Sequence, residues 1–183
     1  MFAITPLKTD TIYLLTHAEA EGDGLTEAGK TAAQGLVAKL EPLEIDGIFT
    51  SPAAEAKETV APFAEASALT VTTLPDLRDH RLSLQGNAPD DPMLEERFKE
   101  RNKAKPGAET FNAASGRLRQ AVLAISRRPI IAPLLVTHPG LLAALMSQRD
   151  RNYGYAEYRA MPAPGLWKLT HRRGAPTKIE VVD

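Results

Sequence analysis

Two short apolar runs constrain this chain more than any other feature. Leu14-Leu15-Thr16-His17 and Leu135-Val136-Thr137-His138 are near copies of each other, far apart in the chain. Each reads as a strand with no polar alternation, the pattern of a strand covered on both faces, as in a parallel sheet sandwiched between helices. A histidine stands one step past each run. In open α/β sheets, ligands bind beyond the carboxyl ends of the strands. Two such histidines meet at one site if their strands are parallel neighbours. Otherwise each is a capped loop residue with no shared role. Ser51 follows a third apolar run, Asp46–Thr50, in the same manner.

The rest of the pattern agrees with strand–helix alternation. Thr11–Thr16 reads as the first strand. Thr26 is a good N-cap for a helix carrying Ala28, Ala32, Ala33, Leu36, Val37 and Leu40 on one face and ending near Pro42. Ser51-Pro52 has the form of a second helix start, with Ser51 as its cap, and Pro62 is expected to disturb or end that helix. Leu69–Leu74 reads as a strand. Residues 78–106 are irregular apart from a charged helix near Met93–Arg101. Phe111, Ala114, Leu118, Val122 and Ile125 form a helical stripe. Pro133–Thr137 is a strand, Leu141–Met146 opens a helix, and Gly165–Thr170 and Lys178–Val182 close the sheet. His80 and His171 sit in polar stretches and are expected to be solvated. Trp167 is expected on a packed strand face, the tyrosines at 153, 155 and 158 in a packed loop, and Glu109 and Thr110 in helix-start chemistry.

Composition removes several function classes. The chain has 183 residues, 43% of them apolar, enough for one core and one domain spanning 1–183. It has no cysteine, so thiolate metal sites, disulfides and a cysteine nucleophile are excluded. A net charge of −1 argues against a nucleic-acid or membrane partner driven by bulk charge. With no apolar run of spanning length and no secretory pattern, the expected location is cytoplasmic. The charge is uneven: residues 1–60 hold ten acids against four lysines, and the first arginine of the chain is Arg78.

The ordered motifs resemble the histidine phosphatase superfamily, also called phosphoglycerate-mutase-like. Thr16-His17-Ala18 resembles its opening Arg-His-Gly, and Leu25-Thr26-Glu27-Ala28-Gly29 its Leu-Thr-x-x-Gly. Asp46-Gly47-Ile48-Phe49-Thr50-Ser51-Pro52 matches Asp-x-Ile-x-Ser-Ser-Pro, with Glu55 at an arginine position and Thr59 at a threonine. Leu77-Arg78-Asp79 is similar to Leu-x-Glu, and Gly107-Ala108-Glu109-Thr110 to Gly-x-Glu-Ser, with Arg117 further along. Val136-Thr137-His138-Pro139-Gly140 resembles Val-Ser-His-Gly-Gly. The resemblance implies a three-layer α/β/α fold with a mostly parallel central sheet and a lid-like insertion at about 80–106. It implies phosphoryl transfer through a phosphohistidine, with no cofactor and no resident metal. His17 would be the nucleophile, His138 its partner and Asp79, one methylene shorter than the usual glutamate, the proton donor. Thr16, Ala18, Glu55, Arg78 and Arg81 would border the substrate.

Both arginine positions are lost, one to Thr16 and one to Glu55. Ala18 replaces a glycine where a Cβ is expected to crowd a ligand, and Pro139 has no N–H to donate. A unit charge pair at about 4 Å is worth ~4 kcal/mol at an effective dielectric of ~20, so an Arg-to-Glu exchange approaches a swing of ~8 kcal/mol before screening. Each ~1.4 kcal/mol is tenfold in rate. Three readings follow. The first is a weak or inactive phosphatase that binds another small polar ligand or a protein partner. The second is an active phosphomonoesterase that recruits Arg78, Arg81 or Lys57, although Lys57 would point off the helical face of Glu55. The third is a divalent-metal site made by His17, His138, Glu55 and Asp79.

Overall fold

The computed structural model describes residues 7–22, 24–81 and 91–182. In chain order its elements are β1 (Thr11–Thr16), the short strands β2 (Ala20–Glu21) and β3 (Gly24–Leu25), and α1 (Glu27–Leu40). Next come β4 (Gly47–Thr50), α2 (Ala54–Ser67), β5 (Val71–Thr73), α3 (Asp91–Lys99) and α4 (Phe111–Ile125). Then follow β6 (Pro133–Thr137), α5 (Pro139–Arg149), α6 (Tyr155–Arg159), β7 (Leu166–Arg172) and β8 (Ala175–Val181).

Six strands form one sheet in the order β5-β4-β6-β1-β7-β8. The first four are mutually parallel, and β7 and β8 close the edge as an antiparallel hairpin. The β2–β3 pair is a separate ribbon. Helices cover both faces, which is why the strand sequences carry no polar alternation. Leu14, Phe49 and Leu135 point into a cluster with Leu118, Val122 and Leu141 from α4 and α5. Leu15, Ile48, Leu134 and Val136 point the other way, against Leu36, Leu40, Val60 and Phe63 from α1 and α2. Each such side chain, fully buried, contributes about 2 kcal/mol. No helix among the described residues is long and apolar enough to cross a membrane.

Thr26 caps α1 as expected, its hydroxyl accepting from Gly29 N. Ser51 does not cap α2: Ala53 holds that position, and Ser51 is instead buried at the end of β4. Pro62 lies inside α2 and the helix runs on to Ser67. Val60 and Phe63, buried on either side of it, offset the cost of one missing helical hydrogen bond, about 3 kcal/mol. His80 and His171 are buried rather than solvated, at 5% and 3% exposure. Trp167 is buried on β7, and the three tyrosines pack against the α4–α5 side of the core. Part of the expected lid, residues 82–90, lies outside the described residues. Of its remainder, α3 is anchored by Phe98 in the core, and Arg101 donates to the carbonyls of Arg151 and Tyr153 at 3.0 Å each.

Candidate functional site

Strands β1 and β6 are parallel neighbours in a register that sets Thr16 beside Thr137. His17 and His138 therefore leave the sheet at the same level, and His17 N donates to Thr137 O at 3.1 Å. Their ring centroids are 5.1 Å apart with planes at 67°. On the other side of β6, Ser51 N donates to Val136 O at 2.9 Å. Ser51 Oγ then sits 2.7 Å from His138 Nε2. Three residues, each one step past a parallel strand, converge at one point.

Hydrogen bonding fixes the imidazoles. His17 Nδ1 lies 2.8 Å from Ala18 O. A carbonyl only accepts, so Nδ1 carries the proton and Nε2 of the neutral ring keeps its lone pair. His138 is buried, and that burial, with the charge of His17, pushes its pKa down to about 4, against a smaller upward pull from Glu55. It is therefore a neutral ring near pH 7, and the Ser51 hydroxyl serves either tautomer by accepting from Nε2–H or donating to Nε2.

Glu55, in the first turn of α2, stands beside the pair with Oε1 3.6 Å from His138 Nδ1. Thr59 holds this arrangement: its hydroxyl donates to Glu55 O at 2.6 Å and accepts from Ala18 N at 2.9 Å. The ligand atoms of His17, Glu55 and His138 all lie within 4.8 Å of one another, a group able to hold a metal ion. Asp79 is not in that group. Its Oδ1 accepts from His80 N at 2.8 Å and Leu141 N at 3.1 Å, so it caps the start of α5 from outside the helix. Gly140 permits this approach, since a Cβ there would lie 2.6 Å from Asp79 Oδ1. Asp79 has a solvent-facing surface, yet the surrounding protein raises its carboxyl pKa, opposed by the His80 amide and the charges of His80 and His17.

Two of the other expected substrate contacts, Thr16 and Ala18, are fully buried. Thr16 is fully buried, its hydroxyl accepting from Gly165 N at 2.9 Å and lying 3.5 Å from Pro162 O. It ties down the loop before β7 and is closed off from solvent. The Ala18 side chain is also fully buried, packed with Leu25 and Ala33, so the expected crowding of a ligand by its Cβ does not occur. Arg78 donates to Pro75 O at 3.3 Å and comes within 3.9 Å of Glu109, while Arg81 and Lys57 are exposed.

Arg117 is close enough for its charge to act on His138, but its fork is occupied. Its Nε and Nη2 donate to the two Glu109 oxygens at 3.0 and 2.7 Å. Nη1 donates to Asp76 O and Arg78 O, and Nη2 reaches Asp79 O at 3.4 Å. A guanidinium has five N–H groups, and these contacts engage all five. Burial would raise the Glu109 carboxyl, but the hydrogen bonds and charge of Arg117 win and hold its pKa below the usual range. Glu109 is thus more than helix-start chemistry, whereas Thr110 is the N-cap of α4. The rule that singles out His17 and His138 also marks Ser51 as one step past an apolar run, but its contact with His138 follows only from the β4–β6 register.

The sequence matches the family model of the histidine phosphatase superfamily (branch 1) over residues 12–181. The chain belongs to that superfamily. Among solved structures, YhfR of Bacillus stearothermophilus is similar at 24% identity and TM-score 0.75, covering 94% of this chain and 96% of that one. A mycobacterial glucosyl-3-phosphoglycerate phosphatase with inorganic phosphate is similar at 19% identity and TM-score 0.70, covering 93% and 94%. A phosphoserine phosphatase from Entamoeba histolytica with 3-phosphoglyceric acid is similar at 15% identity and TM-score 0.72, covering 94% and 96%. At these identities the likeness is one of fold. No curated protein matches the sequence. Within the histidine phosphatase frame, this chain sets two histidines side by side with a carboxylate and a serine hydroxyl around them.

Proposed function

We propose that this histidine phosphatase superfamily member is a weak or inactive phosphatase whose pocket binds a small polar ligand other than a phosphate dianion. One observation carries the reading: the Glu55 carboxylate stands 3.6 Å from His138 Nδ1, in the position where the resemblance puts an arginine. Phosphoryl transfer depends on positioning and on cancelling charge at the equatorial oxygens. A carboxylate there adds repulsion. Two of the nearby cations have other duties, Arg117 locked on Glu109 and Arg78 drawn to Glu109 and Pro75. His17 retains a nucleophile's tautomer, so what the site lacks is oxyanion stabilisation rather than a lone pair.

The test is hydrolysis of an aryl phosphate by protein treated with a chelator. The expected result is turnover several orders of magnitude below that of an arginine-bearing superfamily member measured in parallel. Comparable turnover that vanishes in His17→Ala would overturn the reading.

A further inference from the structure

The geometry points to a divalent transition-metal site, of the zinc class, formed by His17 Nε2, His138 Nδ1 and Glu55, with its remaining coordination position open to the pocket. It rests on the reading above in one respect, that a carboxylate, Glu55, stands where a phosphate clamp is lost. Three observations carry it.

The first is spacing. The 3.6 Å between Glu55 Oε1 and His138 Nδ1 is too long for an N–H···O hydrogen bond. Two ligands bound to zinc at about 2.1 Å with tetrahedral angles stand about 3.4 Å apart. The observed pair is already near that edge length, and all three ligand atoms fall within 4.8 Å of one another. Small side-chain rotations close the remainder.

The second is the outer layer of hydrogen bonds. A metal-binding histidine nearly always donates its other ring N–H to a neighbouring acceptor, which fixes the tautomer and aims the lone pair. His17 Nδ1 does so to the Ala18 carbonyl at 2.8 Å. Ser51 Oγ, 2.7 Å from His138 Nε2, accepts in the tautomer that leaves Nδ1 free for a metal. Thr59 fixes the carboxylate-bearing turn by bonding Glu55 O.

The third is donor chemistry. Two imidazoles and one carboxylate suit zinc and its neighbours, and such a set leaves a position for water or an anionic ligand. A dication there also places positive charge where the guanidinium groups are missing, so the same substitution that repels phosphate creates the third ligand. Asp79 is left out because Oδ1 is held by two backbone amides.

Calorimetric titration of tag-free, chelator-stripped protein with Zn2+ tests this. One equivalent should bind, and visible absorption after loading with Co2+ should report a low-coordinate site. His17→Ala and Glu55→Gln should each weaken binding at least 100-fold. Ser51→Ala should weaken it about tenfold, the effect of an outer-layer partner. Circular dichroism of each variant identifies any that fail to fold, and Glu55→Gln, half-buried at the helix start, serves as the variant of least structural risk. No binding by the wild type, or wild-type affinity in Glu55→Gln and His17→Ala, would overturn the site. Turnover of aryl phosphate by metal-free protein is a separate readout: it would overturn the phosphatase reading and leave the titration to decide the metal.

Discussion

His171 shows how a single side chain in this fold depends on its protonation state. Gly174 N donates to its Nδ1 at 3.1 Å, so that nitrogen bears no proton, and Nε2–H points to Ser126 Oγ at 2.8 Å. The contact closes the β7–β8 hairpin over a two-residue turn, Arg173-Gly174, with both residues at positive φ. Burial lowers the His171 pKa from its ordinary value, opposed weakly by Asp10. The unfolded chain then binds more protons than the folded one as pH falls below about 6.5, so stability contributed by His171 is present above that value and declines with acidification through its folded pKa. His171→Ala should cost about 2 kcal/mol near pH 7, because the Gly174 amide and the Ser126 hydroxyl lose their partner. It should also flatten the loss of stability as the pH falls below about 6.5. Urea unfolding at several pH values checks both, and an unchanged pH slope would remove His171 as a source of acid sensitivity.

At the scale of elements, docking depends on a few close approaches. Gly29 stands in the first turn of α1, where a Cβ would come within 2.0 Å of the Glu19 carbonyl oxygen. The same carbonyl accepts from Thr26 N at 3.1 Å, so the helix start is seated directly on the chain leaving the site. Gly29→Ala gains about 1 kcal/mol of helix propensity but forces backbone apart at a cost of up to about 3 kcal/mol. A net loss of about 2 kcal/mol, read as a lower melting temperature, is expected; a stabilised variant would show that the contact yields freely. A second tether is Arg117, which joins α4 to the segment carrying Asp79. Arg117→Met should cost about 3 kcal/mol by leaving the largely buried Glu109 carboxylate with only the more distant Arg78, whereas Arg117→Met with Glu109→Gln should recover most of it. These tethers also mark what sequence reading reaches. The strands at 11–16 and 133–137 were legible because both faces are covered, leaving an uninterrupted apolar run. The five-residue α6 was not, since a helix of that length shows little more than one period. The burial of His80 and His171 was hidden too, because the groups that bury them come from remote chain segments such as Glu109 and Ser126. Ser51 was misread for another reason: Ser-Pro has the local form of a helix start, and only the β4–β6 register reveals that the hydroxyl faces His138.

Over the whole molecule, positive charge is abundant, and three of its arginines are engaged in structure. The arginines all follow residue 77. Arg117 is neutralised by Glu109, Arg101 holds the carbonyls of α5 and the loop after it, and Arg128 lies over the Phe49 ring at 5.1 Å. None of these three is free to turn toward His17 and His138 without dismantling a contact elsewhere, so on the proposed reading a gain in phosphate affinity is sought within the site. The two vacant arginine positions then behave differently. Glu55 is 23% exposed on α2, so Glu55→Arg changes charge with little repacking. Reversing a charge at about 4 Å swings the interaction with a bound dianion by up to ~8 kcal/mol, and water contact reduces this several-fold. A gain of at least tenfold in affinity for inorganic phosphate is the conservative expectation, together with loss of any metal binding. Thr16 is fully buried, and its hydroxyl is the acceptor for Gly165 N. Thr16→Arg must expel the loop at 162–165 to find room, and should lower the melting temperature before it can bind anything. Phosphate titration and thermal unfolding of the two single variants separate the cases. If Glu55→Arg binds phosphate no better than the wild type, the carboxylate beside His138 is not what keeps the dianion out.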